Sequence, residues 1–188
     1  MNSKWLKLAV IVAVQFYGFP AALPAVSEDA GANKESIADK QQQIMDKLGS
    51  VAAKVRKLSV VPVRLPSSFL NMNDELKELA LYPVIVHAER SRYEIDIAYT
   101  TDCGGAYACT YARFGGSDAP YQSPKGDINL RVILAAGLTG DFVADKCRLN
   151  CGEGVLKWTQ GGFYYELAMK AFSQREMVEI ANSAISAP

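Results

Sequence analysis

Four cysteines stand in two local pairs, Cys103/Cys109 and Cys147/Cys151, and their chemistry is the easiest in this chain to anticipate. An even set of thiols in an oxidising compartment joins as disulfides. Local pairing, 103 with 109 and 147 with 151, is the simplest of three connectivities. Between the first two lies Gly104-Gly105-Ala106-Tyr107-Ala108, whose glycines let the loop curl back on itself. Closing so short a loop stabilises by about 2 kcal/mol in the chain-entropy treatment, and cross-pairing over about forty residues by about 4 kcal/mol. The alternative is a four-thiolate metal site. Structural zinc takes cysteine spacings of two to four, which the Cys103/Cys109 gap exceeds, so disulfides are expected and no metal or cofactor.

His87 is the only histidine, so any Ser-His-Asp or Cys-His arrangement must include it. It falls at the end of a predicted strand with no orienting partner in view, and reads as structural. Glu94 and Asp96 project from one face of the next strand. With His87 they could form an acid/base pair for hydrolysis; strict alternation favours the solvated face of an antiparallel strand instead. Gly152-Glu153-Gly154 and the Gly-Gly pairs lack the following helix that would hold a phosphate, and read as turns. Asp102, Asp118, Asp127, Asp141 and Asp145 lack the spacing of a calcium loop. Tyr93, Tyr99, Tyr107, Tyr111, Tyr121, Tyr164 and Tyr165 offer aromatic surface for a sugar, peptide or protein. Most alternate with core positions and read as packing residues with a wet hydroxyl edge.

The elements that must position these residues make an α+β fold. A helix is expected over 34–58, where Ile37, Gln41, Ile44, Leu48, Val51, Val55 and Leu58 repeat at spacings of four and three. Gly49-Ser50 marks a candidate kink. The stripe serves either to lay the helix on its own sheet or to pair two copies as a homodimer. Val60 to Pro66 is β-rich, but its two prolines confine it to a sheet edge or an extended lead-in. One or two helical turns follow within 71–79. An antiparallel meander of six to seven strands then runs through Val84–His87, Tyr93–Tyr99, Thr110–Phe114, Ile128–Leu134, Gly140–Val143, Val155–Trp158 and Phe163–Lys170. Gly161-Gly162 supplies the positive φ of a tight hairpin. Ser173-Gln174-Arg175-Glu176 is a capping box that opens a last helix, with Met177, Ile180, Ala181, Ala184 and Ile185 as the stripe covering the sheet.

Residues 1–25 have the three parts of a secretory signal: Lys4 and Lys7, the apolar run from Leu8 to Val14, and small residues around a cut after Ala25. A retained anchor over the uncharged stretch from Leu8 to Ser27 is the alternative, interrupted by Gln15, Pro20 and Pro24. Residues 26–33 form a polar lead-in, and 59–188 the α+β domain. The whole chain balances 20 basic against 20 acidic residues. Loss of Lys4 and Lys7 leaves it slightly acidic, with no concentrated basic face for nucleic acid.

Two stretches resemble known exported domains. Leu156-Lys157-Trp158, Gly162, Tyr164/Tyr165, Glu176 and Ile180-Ala181-Asn182-Ser183 are similar to the ending of domains of unknown function in bacterial lipoproteins and membrane-anchored regulatory proteins. The pattern from Tyr93 to Cys109, with its Asp102-Cys103-Gly104-Gly105-Ala106-Tyr107-Ala108-Cys109 loop, resembles small exported hypothetical proteins of bacteria. The resemblance implies a bacterial, extracytoplasmic protein and no reaction. The expected function is therefore an exported, non-enzymatic binding module for a protein or small ligand, periplasmic or secreted, without a transmembrane span after signal cleavage. Its stapled loops, with Tyr107 and Arg148, are the expected contact surfaces. A hydrolase using Glu94, Asp96 and His87, or a structural protein paired through helix 34–58, are the alternatives.

Overall fold

The computed structural model describes residues 37–67, 80–121, 129–144, 153–170 and 172–187. All belong to one compact unit beginning at Glu35. The signal, the lead-in and the expected turns within 71–79 lie outside the described residues. The elements are α1 (Ile37–Val55), β1 (Tyr82–Glu89), β2 (Arg92–Ala98), β3 (Thr110–Ser117), β4 (Asn129–Ile133), β5 (Thr139–Val143), β6 (Glu153–Gln160), β7 (Phe163–Lys170) and α2 (Gln174–Ser186). Each of the seven expected strands is present.

They form one antiparallel sheet in the order β1-β2-β3-β7-β6-β5-β4. The expected meander is thus two meanders. The first, β1 to β3, halts; the chain passes to the far edge, and β4 to β7 work back until β7 zips onto β3. Phe114 stands opposite Leu167 and Gly116 opposite Tyr165. The β6–β7 hairpin closes on Gly161 (φ 61°) and Gly162 (φ 83°), the left-handed pair a two-residue turn requires.

Alternation sorts each strand into a core face and an outer face. The core rows read Ile95–Phe114–Leu167–Leu156–Phe142 and Tyr93–Gly116–Tyr165–Trp158–Gly140. In the second row a glycine faces a ring. A Cβ on Gly116 would stand 2.3 Å from the Tyr93 ring, so only glycine lets that tyrosine lie against β3.

Three segments cover the core face. Helix α1 buries Ile44, Leu48, Ala52 and Val55 and packs on β1. Its stripe is spent on its own sheet, and the homodimer reading finds no support. The helix runs unbroken through Gly49-Ser50, and Leu58 lies past its end, exposed. Next comes the segment 60–66, extended but outside the ladder because Pro62 and Pro66 bring no N–H. Val61 and Val63 are buried beneath it, and core tyrosines satisfy its backbone. Tyr93 Oη accepts from Arg64 N–H at 3.0 Å, and the Tyr165 hydroxyl donates to the Pro62 carbonyl at 3.2 Å. The third cover, α2, opens with the expected capping box at Ser173 and Glu176 and buries all five stripe residues. Arg64 reaches its C-terminal end and donates to the Ala187 carbonyl.

This packing predicts that Gly116→Ala will cost about 1–3 kcal/mol by overpacking. Urea denaturation of the oxidised protein should show a lower midpoint, with Gly49→Ala, in open space on α1, as comparison for a glycine that meets no neighbour.

Candidate functional site

The outer face carries charge in register. One row crosses all seven strands: His87, Glu94, Gly115, Glu166, Lys157, Asp141 and Arg131 are successive Cα partners. Opposite charges directly across an antiparallel pair attract, and here they close. Lys157 Nζ lies 3.4 Å from Glu166, and Arg131 Nε 3.1 Å from Asp141. Gly115 breaks the row, and Tyr121 fills the gap. The tyrosine hydroxyl sits 2.6 Å from where a Gly115 Cβ would be. Burial, seconded by Glu166, pushes its ionisation above the ordinary phenol value.

One half of this face is locked. The carboxylate of Asp96 is wholly buried, and Arg113 grips it through Nε at 2.8 Å and Nη2 at 3.2 Å. The Arg113 guanidinium also lies 3.0 Å from Glu94, whose other oxygen pairs with Arg92 at 2.7 Å. Glu94 and Asp96 therefore do not form a solvated strand face; both are consumed by cations. The reason is the register, which sets Arg113 opposite Asp96.

That cluster also anchors the stapled loop. Cys103 and Cys109 are joined at 2.05 Å, which removes both from any four-thiolate site and rules out cross-pairing. Cys147, Cys151 and Arg148 lie outside the described residues. Arg113 Nη2 donates to the Gly105 carbonyl at 3.3 Å. The Thr110 hydroxyl stands between Asp96 Oδ2, at 2.9 Å, and the Ala106 carbonyl, at 3.0 Å. Gly105 has φ +82°, and a Cβ there would stand 2.8 Å from Val86 of β1. Lys170 donates to the Tyr107 carbonyl and rests 3.9 Å over its ring. Tyr107 is half exposed, but on a loop with little freedom left. His87 is a row partner of Glu94 by register, yet its imidazole pairs with Glu89 at 3.1 Å, which draws the Glu89 carboxyl below its ordinary value.

The other half of the face opens into a cleft of about 460 Å³ over β5, β6 and β7. Arg131, Asp141, Lys157, Thr159 and Tyr164 line it from the sheet, and Tyr121 from the β3–β4 connection. The turn at Gly137–Thr139 also lines it, while the rings of Trp158 and Tyr165 stack at 5.6 Å on the opposite, core face of the same strands. One polar atom on the cleft side, Tyr121 Oη, is buried without a partner among the described residues. A buried donor left unmade costs about 1–3 kcal/mol, which a bound molecule or water removes by completing the hydrogen bond.

The structure thus separates the residues that the sequence singles out. It brings Glu94 and Asp96 together with Arg113, places His87 apart with Glu89, and sets Tyr107 on the anchored loop. Arg113, Lys170 and the cleft residues Arg131 and Lys157 escape a reading of the sequence, whereas Tyr164 is among the tyrosines it offers as aromatic surface. Their alternation marks them as outward-facing, but which strand lies beside which decides their partners. No protein-family profile, curated protein or solved structure matches the chain. Among the described residues no helix is long and apolar enough to cross a membrane, and no cluster of His, Cys, Asp and Glu could hold a metal ion.

Two outcomes follow from the locked half. Arg113→Met strands a buried carboxylate and should cost about 3–5 kcal/mol in urea denaturation, while Asp96→Leu combined with Arg113→Met should recover much of that loss. Glu153 stands at the edge of the cluster, and burial raises its carboxyl above the ordinary value. Its protonated form is favoured by folding, so stability is lost as pH rises through the folded pKa. Glu153→Gln should then raise the thermal midpoint at neutral pH and leave it unchanged at about pH 3, where both states are protonated.

Proposed function

We propose that this protein is an extracytoplasmic, non-enzymatic binding module whose ligand seat is the outer face of its sheet. The cleft beside Tyr121 and Tyr164 carries the reading. Its size falls within the range of about 300–1,000 Å³ typical of small-molecule sites, and polar groups converge in it beside aromatic walls. The disulfide supports an oxidising compartment, where such bonds persist. The stapled loop frames the same face, and Tyr107 is its exposed side chain for a contact with a larger partner; Arg148, of the 147–151 loop, is kept as a second proposed contact.

The arrangement of carboxylates favours binding over hydrolysis. A general acid must hold a proton, and a general base must be free to take one. Asp96 and Glu94 share Arg113, whose guanidinium occupies an oxygen of each. Neither lines the cleft.

A thermal-shift screen of the oxidised full chain against metabolites, peptides and oligosaccharides tests the reading. A ligand at a hundredfold excess over its Kd should stabilise by about 2.7 kcal/mol, and Tyr164→Ala should abolish that shift. Hits that survive Tyr164→Ala, or product formation that disappears in Glu94→Gln, would count against it.

A further inference from the structure

We infer that the groove between α1 and the free edge of β1 takes an extended, acidic peptide as an added strand, at a seat separate from the cleft. β1 ends the sheet: β2 pairs with one of its edges, and no described strand pairs with the other. An edge of that kind offers the N–H and C=O groups that a partner strand needs. Helix α1 packs on β1, and between them runs a groove of about 440 Å³. Lys47, Val51 and Lys54 line it from the helix, and β1 lines it from Tyr82 to Ile85. Side chains of successive strand residues alternate between the faces, so four in a row share one groove because it follows the edge of the strand. Val51 and Ile85 pack on the core and stay half-buried, which leaves apolar surface in the groove. Pro83 takes one N–H from the edge, an interruption that edge strands tolerate.

Charge selects the occupant. Lys47 and Lys54 line the groove, and no described acid does. Neither lysine forms an ion pair among the described residues. Lys47 Nζ rests 5.1 Å from the centre of the Tyr82 ring, which positions the ammonium without neutralising it. The two lysines lie about 10 Å apart along the helix, at about 1.5 Å per residue. An extended chain rises about 3.3 Å per residue, so acids two to four residues apart reach both, and apolar side chains between them meet Val51 and Ile85. A second copy of this chain is the poorer fit, because pairing two β1 edges would bring two lysine-lined grooves together. A phosphate-rich surface is poorer still, since it matches neither the apolar wall nor the strand edge.

The test selects short random peptides, displayed on phage, against the oxidised full chain. Enriched sequences should alternate apolar and acidic residues, and the best of them, made synthetically, should bind more weakly as salt rises. Lys47→Glu and Lys54→Glu should each weaken it by about tenfold or more, with unchanged melting curves. Arg175→Glu, exposed on α2, should not. Methylating alternate amides of the peptide separates strand addition from charge alone: one alternate set should abolish binding and the other should leave it. Binding that survives both sets overturns strand addition. Peptides that ignore both lysines lie elsewhere on the molecule and overturn this seat, while the cleft, read through Tyr164→Ala, is untouched by that failure. Residues 68–79, just ahead of β1, carry Asp74, Glu75 and Glu78. If peptides are enriched only after Asp74→Asn, Glu75→Gln and Glu78→Gln, that segment is the occupant and the external partner is overturned. No enrichment on either form overturns the proposal outright.

Discussion

The buried pair of Asp96 and Arg113 is the constraint on which the outer face depends. A carboxylate with no exposure is tolerated only when its charge is met and its lone pairs are filled. Arg113 does the first with two donors, and Thr110 helps with the second. The same guanidinium then reaches Glu94 on one side and the Gly105 carbonyl on the other. The pair therefore fixes the register of β2 against β3 at the point where the stapled loop returns. Loop geometry follows from sheet register, and the disulfide shortens a path already set.

The core face reaches order by a different route. There the difficulty is a proline-bounded segment that must cross apolar surface without joining a ladder. Core tyrosines resolve it by offering hydroxyls at the depth of the segment's backbone. Burial makes those phenols harder to ionise, Tyr93 above all, so they remain hydrogen-bonding groups at any ordinary pH. Glycine at 116 is the complement of this arrangement, because the ring that carries one hydroxyl needs the space a side chain would take. Tyrosine, proline and glycine thus form one device spread over three segments.

What could be read in the sequence follows from how local each signal is. The capping box at Ser173, the Gly161-Gly162 hairpin and the alternation of Tyr93, Ile95 and Ile97 act within a few residues, and all are found as expected. The Cys103–Cys109 pair is local in the same sense. Sheet order is not. Nothing near Ser117 announces that β3 will pair with β7 and leave the next strand for the far edge. Because Glu94 and Asp96 owe their burial to Arg113 across that sheet, their alternation alone suggested solvent. The helix stripe misled in a milder way: Ala52 takes a buried place and Leu58 falls past the helix end, since packing on a twisted sheet follows contact and not an ideal repeat.

The two halves of the outer face use the same residue types toward opposite ends. Near the loop, Glu94 and Asp96 share Arg113 while Arg92 closes on Glu94 from the other side, so the group is tied together and offers a ligand little. Toward β4 and β5 the pairs are one to one and more exposed, with Arg131 at 67% and Asp141 at 46%. An exposed ion pair contributes little to stability, so the fold does not depend on this one. A pair of fixed, neutralised charges is useful to a site that must present donors and acceptors without drawing counter-ions. Tyr121 links the halves. It stands over the glycine that interrupts the row, with Glu94 on the locked side and Glu166 on the open side. Any molecule that engages its hydroxyl therefore bears on the residue next to the buried pair, and the rigidity of one half sets the geometry of the other.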